Sequence, residues 1–352
     1  MNRMMVKLYA GNCRLFSRQC WLLALLLTVA SCHSGKPPDL SGVEVDLKLN
    51  RMEKDLFALS ASAYPSQIDS LRKKYPVLFP FYFREIGGWD LEADTTKSWK
   101  DSIWQYVQSP YSQALYDSTM MRFDDVTVFA QNLQLALRYF KYYFPKAAIP
   151  EVNTLINAPP AFTVGNDLLC ISLDKYLGPG SAFYKYETEP VPQYLLRRFT
   201  PEYMVCNCIH VLATANFEFN APGKKLLDAM IYNGKILYLK KKVLPAADDS
   251  IITGYTKADL VWCKNNEPEI WKFFIEKKLL YSTDPLQYAK YINEGPSTSG
   301  MPEEAPGNIG SWVGWRIVTA FMEKNEGYTL QQLMEETDAQ KILSASKYKP
   351  LR

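Results

Sequence analysis

The chain has 352 residues, 47% hydrophobic and 14% aromatic, enough to bury a large core. Its net charge of +3 is concentrated at the start: residues 1–31 hold Arg3, Lys7, Arg14 and Arg18 and no acid. The remainder carries 36 basic and 37 acidic residues, so nothing in the charge argues for nucleic acid as a partner.

Residues 1–31 read as a lipoprotein signal peptide. A basic start precedes the apolar run Trp21–Ala30, which falls short of the roughly 20 apolar residues that span a bilayer. Val29-Ala30-Ser31-Cys32 then resembles a bacterial lipobox, with small residues directly before a cysteine. Cys32 is therefore expected to become the acylated first residue of the mature chain. Acyl chains would hold the protein on a membrane without spanning it. Residues 32–42 form a polar, Gly- and Pro-containing tether, and residues 43–352 a single globular domain.

Val43–Leu49 alternates apolar and charged residues, the period of a half-buried strand. Met52–Leu59, Gln67–Lys74, Trp99–Val107 and Pro110–Met121 read as helices. Val126–Phe144 is the clearest amphipathic helix of the first half, and Pro145 stops it. Val152–Ile156, Ala161–Val164 and Leu168–Leu173 read as strands, with Gly165-Asn166-Asp167 as a tight turn between the last two. Thr200, Pro201 and Glu202 suit a helix start, so the spacing predicts a central helix from Thr200 to Phe217. Lys224–Leu244, Lys257–Asn265, Glu267–Lys277, Pro285–Asn293 and Trp312–Lys324 follow as helices. Thr329 and Asp338 cap two more, ending near Ala345. The sum is an α+β fold, mostly helical, with a small central β-sheet.

Four cysteines remain in the body, Cys170, Cys206, Cys208 and Cys263, and their scatter suits buried free thiols rather than a disulfide framework. His210 is the only histidine beyond His33. Cys206 precedes it by four residues, which places both on one helical face. A hydrogen-bonded structural histidine is the preferred reading, because a structural zinc takes four ligands and only Cys206 stands nearby. Gly310 and Gly314, around Trp312 and Trp315, suggest close helix packing. Lys240-Lys241-Lys242 reads as a solvated face.

Several runs together resemble the gliding-motility lipoprotein family GldB of Bacteroidetes. They include Phe140-Lys141-Tyr142-Tyr143-Phe144-Pro145, Leu173-Asp174-Lys175-Tyr176-Leu177-Gly178 and Asp228-Ala229-Met230-Ile231-Tyr232-Asn233-Gly234-Lys235. Phe274-Ile275-Glu276-Lys277, Ile309-Gly310-Ser311-Trp312-Val313-Gly314-Trp315 and Glu336-Thr337-Asp338-Ala339-Gln340-Lys341-Ile342-Leu343 continue the series. The resemblance implies a lipid-anchored protein of the cell envelope that binds or stabilises components of the gliding or secretion machinery. His33, directly after Cys32, is not an acidic retention signal, which by analogy with other diderm lipoproteins favours the outer membrane.

That family also resembles a distant relative of zinc metallopeptidases, which implies a degenerate zincin-like fold. On that template the two histidines of His-Glu-x-x-His fall on Cys206 and His210, the general base on Asn207 and the third ligand on Asn233. One histidine survives, and Asn207 cannot take up a proton near neutral pH. The expectation is thus no catalytic residue, no metal and no cofactor. The template further implies a groove edge strand, placed at Leu168, Leu169, Cys170, Ile171, Ser172 and Leu173, able to pair with an extended partner segment. An internal strand, or one covered by the Gly178–Pro192 loop, would carry the same apolar run, and that alternative stays equally open. Two alternatives stay open: an active or vestigial zinc metallopeptidase, and a binder of cell-wall peptide, glycan or lipid.

Replacing Cys32 by Ala is expected to release the chain from the membrane fraction, as read by cell fractionation. Unchanged processing and membrane association of that variant would refute the lipidation assignment.

Overall fold

The computed structural model describes residues 38–91, 98–186, 191–219 and 224–350. Cys32 and the signal segment lie outside the described residues. The compact body begins at Val43. Among the described residues no helix is long and apolar enough to cross a membrane.

The body opens with β1 (Leu49–Arg51) and α1 (Met52–Phe57), then α2 (Tyr64–Lys74), α3 (Trp99–Gln108), α4 (Pro110–Phe123) and α5 (Thr127–Tyr143). The expected strand at Val43–Leu49 is corrected: ladder pairing covers only β1. The alternation is real, with Val45 buried and Glu44 and Asp46 exposed. Its partner, however, is a helix. Gln134 Nε2 and Arg138 Nε of α5 donate to the carbonyls of Val45 and Val43, both at 2.8 Å. An extended segment thus satisfies part of its backbone on side chains instead of a neighbouring strand.

Three more strands follow: β2 (Glu151–Leu155), β3 (Ala161–Val164) and β4 (Leu168–Ser172). They join β1 in one sheet of order β1-β2-β4-β3. β1 and β4 both run parallel to β2, while β3 folds back antiparallel onto β4. Gly165 makes that reversal at φ +60°, where a side chain would be strained. The anticipated edge strand is therefore wrong. The run Leu168–Ser172 lies inside the sheet, hydrogen-bonded on both sides, and Leu173 already starts a 3-10 turn. The hairpin puts β3 on the edge instead. Leu169 and Ile171 face one core and Cys170 the other, which is why the run is apolar without interruption.

Two apolar cores flank the sheet. The smaller joins Met52, Ile68, Phe79, Phe83, Ile103 and Cys170. The larger gathers around α6 (Met204–Asn216) and α7 (Leu226–Val243). Short helices α8 (Asp249–Thr253), α9 (Lys257–Asn265), α10 (Glu267–Glu276) and α11 (Pro285–Ile292) lead to α12 (Ile309–Lys324), α13 (Leu330–Glu335) and α14 (Ala339–Ser346). The architecture is α+β, mostly helical, with a small mixed sheet. The expected start of the central helix shifts. Thr200 is extended and makes no side-chain cap, and Pro201–Tyr203 form a 3-10 turn before α6 begins.

α7 and α12 cross at backbone contact. A Cβ built on Gly314 would meet the Met230 carbonyl oxygen at 1.7 Å, and one built on Gly234 would meet the Gly314 carbonyl carbon at 2.2 Å. Gly310 is also closed, though less tightly: a Cβ there would lie 2.7 Å from the Tyr291 carbonyl oxygen. Both helices are buried at the crossing, with Met230, Ile231, Trp312 and Val313 around it. Gly314→Ala is expected to lower stability by about 2 kcal/mol or more, since overpacking against rigid backbone outweighs the roughly 1 kcal/mol gain in helix propensity. Urea denaturation measures it as a lower midpoint at unchanged slope.

Candidate functional site

A cleft of about 410 Å³ opens beside this crossing. α6 contributes Asn207, His210 and Thr214, which recur at helical spacing along one face. α7 contributes Asn233, Ile236 and Lys240, and α12 contributes Ser311 and Trp312. The close approach at Gly234 and Gly314 brings the two neighbouring polar residues together: Asn233 Nδ2 donates to Ser311 Oγ at 2.8 Å.

That bond starts a polar chain along the cleft wall. Ser311 Oγ donates to Asn308 Oδ1, and Asn308 Nδ2 donates to Glu294 Oε1 at 3.2 Å. Glu294 Oε2 pairs with Arg198 Nη2 at 2.8 Å. Arg198 Nε in turn donates to the Gly254 carbonyl at 3.0 Å. Asn308 holds a left-handed conformation, φ 59°, at the start of α12, which Asn tolerates better than most residues. Sequence reading missed Arg198, Glu294, Asn308 and Ser311, because three separate segments supply them. The one available signal was Ser311, a hydroxyl inside an otherwise apolar helical run.

Of the four positions drawn from the peptidase template, three meet in the cleft and one does not. Asn207, His210 and Asn233 line it. Cys206 is buried on the flank of α6, and its thiol donates to the Ile251 carbonyl at 3.2 Å. Asn207 Nδ2 donates to Tyr176 Oη at 2.9 Å, and that hydroxyl donates to Pro160 O at 3.2 Å. The amides at 207 and 233 thus act as donors holding the walls together. Among the described residues, no group of three or more His, Cys, Asp or Glu side chains is placed to hold a metal ion. The donor set does not fit a zinc site: it offers one imidazole, two amides engaged as donors, and a thiol turned elsewhere.

His210 is exposed at the cleft mouth, which corrects the expected hydrogen-bonded structural histidine, and protein packs around the inner side of its ring. That desolvation, with Lys240 adding to it, pulls its pKa from 6.5 down to about 4; Glu294 opposes the shift. Lys240 is another correction, since it is buried rather than solvated and donates to the Ile252 carbonyl at 2.6 Å. The buried thiols are unreactive by environment, burial alone raising Cys170 to about 12.

A second cleft, of about 530 Å³, lies against the smaller core and is lined by Tyr82, Trp89, Tyr106, Asn157 and Lys175 among others. Asn157 is left-handed, φ 57°, and its backbone N–H donates to buried Asp174 Oδ1 at 3.0 Å. Tyr82 Oη donates to Ile156 O at 2.9 Å and meets Tyr106 Oη at 3.1 Å. Burial raises both phenols, so they stay neutral donors.

A sequence model of the family described as gliding motility protein GldB matches residues 33–350. The chain belongs to that family. The match to GldB covers essentially the whole body, and so includes both clefts. No curated protein and no solved structure matches the chain.

The His210 shift has a signed consequence. Its folded pKa of about 4 lies below the unfolded 6.5. As pH falls through that window the unfolded chain binds a proton that the folded chain does not, so stability declines from 6.5 toward 4. His210→Gln is expected to flatten this part of the curve. Urea denaturation at about pH 7 and about pH 4.5 measures the difference between the two proteins.

Proposed function

We propose that the chain is a non-catalytic lipoprotein of the cell envelope. Acylated Cys32 anchors it to the outer membrane, and its body binds or stabilises components of the gliding and secretion machinery. The family match supports the link to gliding motility. The observation that carries the non-catalytic reading is the cleft itself. Asn207, His210 and Asn233 converge there, yet the two amides serve as structural donors to Tyr176 and Ser311. No carboxylate stands at either amide position to activate water. We read this as a metallopeptidase-like frame whose catalytic positions have been replaced, leaving a shaped cleft between α6, α7 and α12.

Metal analysis and a peptide-hydrolysis screen of the purified protein test the chemistry. The expected result is no stoichiometric zinc and no chelator-sensitive hydrolysis. Peptidase activity lost on chelation and in His210→Ala would overturn the reading. In-cell cross-linking of the lipidated protein tests the partner, with envelope proteins of the motility machinery as the expected products.

The second cleft favours a further reading, a binder of cell-wall glycan or peptide. An indole and two phenols stand beside the Asn157 amide and the Lys175 ammonium, the mixed aromatic and polar lining of a small-ligand site. Titration with soluble cell-wall fragments should then change tryptophan fluorescence in the parent protein and not in Trp89→Phe. An equal response in both, or none, removes this reading.

A further inference from the structure

α5 buries Phe129, Leu133, Ala136, Leu137 and Phe140 in the main core. Its opposite face is unusual for a solvent face. Val128 is 71% exposed, Leu135 47% and Tyr142 42%. The three are seven residues apart, so they stay within about 20° of one line along the helix. Met121, exposed at the end of α4, precedes them by the same interval. α5 contains no Asp or Glu, and its charges are Arg138 and Lys141. Tyr139, Tyr142 and Tyr143 crowd its C-terminal end, and exposed Lys146 follows.

The chain enters the body on the flank of this stripe. Arg138 and Gln134 lie to one side of it on the helical wheel, and they hold the carbonyls of Val43 and Val45. Ten residues separate Cys32 from Val43. A chain of that length reaches at most about 40 Å, more than the roughly 26 Å length of α5. An anchor at Cys32 can therefore hold the body with any part of the stripe at the membrane surface.

We propose that the outer face of α5 lies on the lipid surface to which Cys32 anchors the chain. The inference rests on the acylation reading above. Apolar Val128 and Leu135 would enter the headgroup boundary, and exposed Tyr142 suits it because its ring has an apolar body and a polar tip, whereas Tyr139 and Tyr143 pack against the core. Arg138 and exposed Lys146 supply positive charge for lipid phosphates, while Lys141 is held by the Ala147 carbonyl. α5 itself carries no acid; Asp124 and Asp125 stand just before it, Asp124 paired with Lys54 and Asp125 accepting the Thr127 N–H. The body is thereby oriented as well as tethered. A second copy of the chain or a partner helix could cover an apolar stripe too. The start of the body at Val43 and Val45, on the flank of the stripe, and the one-signed charge of α5 favour the membrane.

The test uses the full lipidated chain, with the mass of its N-terminus confirming the acyl group. Leu135→Cys is labelled with a polarity-sensitive fluorophore, which the buried native thiols leave selective. Leu286→Cys, at a 91% exposed site on α11, serves as the control. Both proteins are reconstituted into phosphatidylethanolamine–phosphatidylglycerol vesicles carrying shallow quenchers. The label at 135 is expected to shift to the blue and to be quenched about twofold or more beyond the label at 286. Equal responses at the two sites in an acylated protein overturn the inference and leave the anchor intact. A blue shift at 135 that appears without lipid and grows with protein concentration also overturns it, because a second copy then covers the stripe. An unacylated N-terminus refutes the anchor, and the inference falls with it.

Discussion

The backbone contact between α7 and α12 is the constraint on which the cleft depends. Gly234 and Gly314 leave no room for a Cβ on either side, so the two helices approach at a fixed depth and rotation. Residues next to those glycines inherit that precision. Asn233 and Ser311 fall within hydrogen-bond distance, and the wall they begin runs on through Asn308 and Glu294 to Arg198. A looser crossing would separate the first pair and leave polar groups half-buried without partners, which is costly in a low-dielectric wall. The packing glycines and the polar chain form one unit.

The cleft that results is polar and carries little reactive chemistry. Its imidazole is pushed toward the neutral form, its lysine is occupied by the Ile252 carbonyl, and its glutamate is paired with Arg198. Nucleophiles are no better placed. Cys206 points toward α8, and Cys170 and Cys208 are raised by burial. On the function proposed above, such a site serves recognition, where shape and fixed donors matter, rather than proton transfer, which needs a group titrating near the working pH.

The sheet divides the body into two unequal parts, and each has its own cleft. β4 is buried on both faces, so it transmits position between them: Leu169 and Ile171 pack toward the helical core, Cys170 toward the smaller one. Just beyond it, Asp174 fixes the left-handed turn at Asn157 on one side, while Tyr176 accepts the Asn207 amide on the other. The short run from Ser172 to Tyr176 therefore ties the walls of both clefts to one strand end.

Local patterning carried most of the elements into view. The helical period of α5, the turn at Gly165 and the caps at Thr329 and Asp338 are properties of neighbouring residues, and chain-local physics sets them. Asn207 and His210 share a helical face by spacing alone, whereas their meeting with Asn233 in one cleft depends on how α6 packs beside α7. Tertiary structure decided the rest. An apolar run such as Leu168–Ser172 reads the same at an edge or in the interior, and only the hairpin showed which side β3 would cover. The alternation at Val43–Leu49 demanded a buried face but could not say that α5 would supply it. Lys240 looked solvated within a lysine triplet, until the Ile252 carbonyl offered a buried partner. In each case the sequence by itself determined which surfaces must be buried, and contacts between residues distant along the chain determined what buries them.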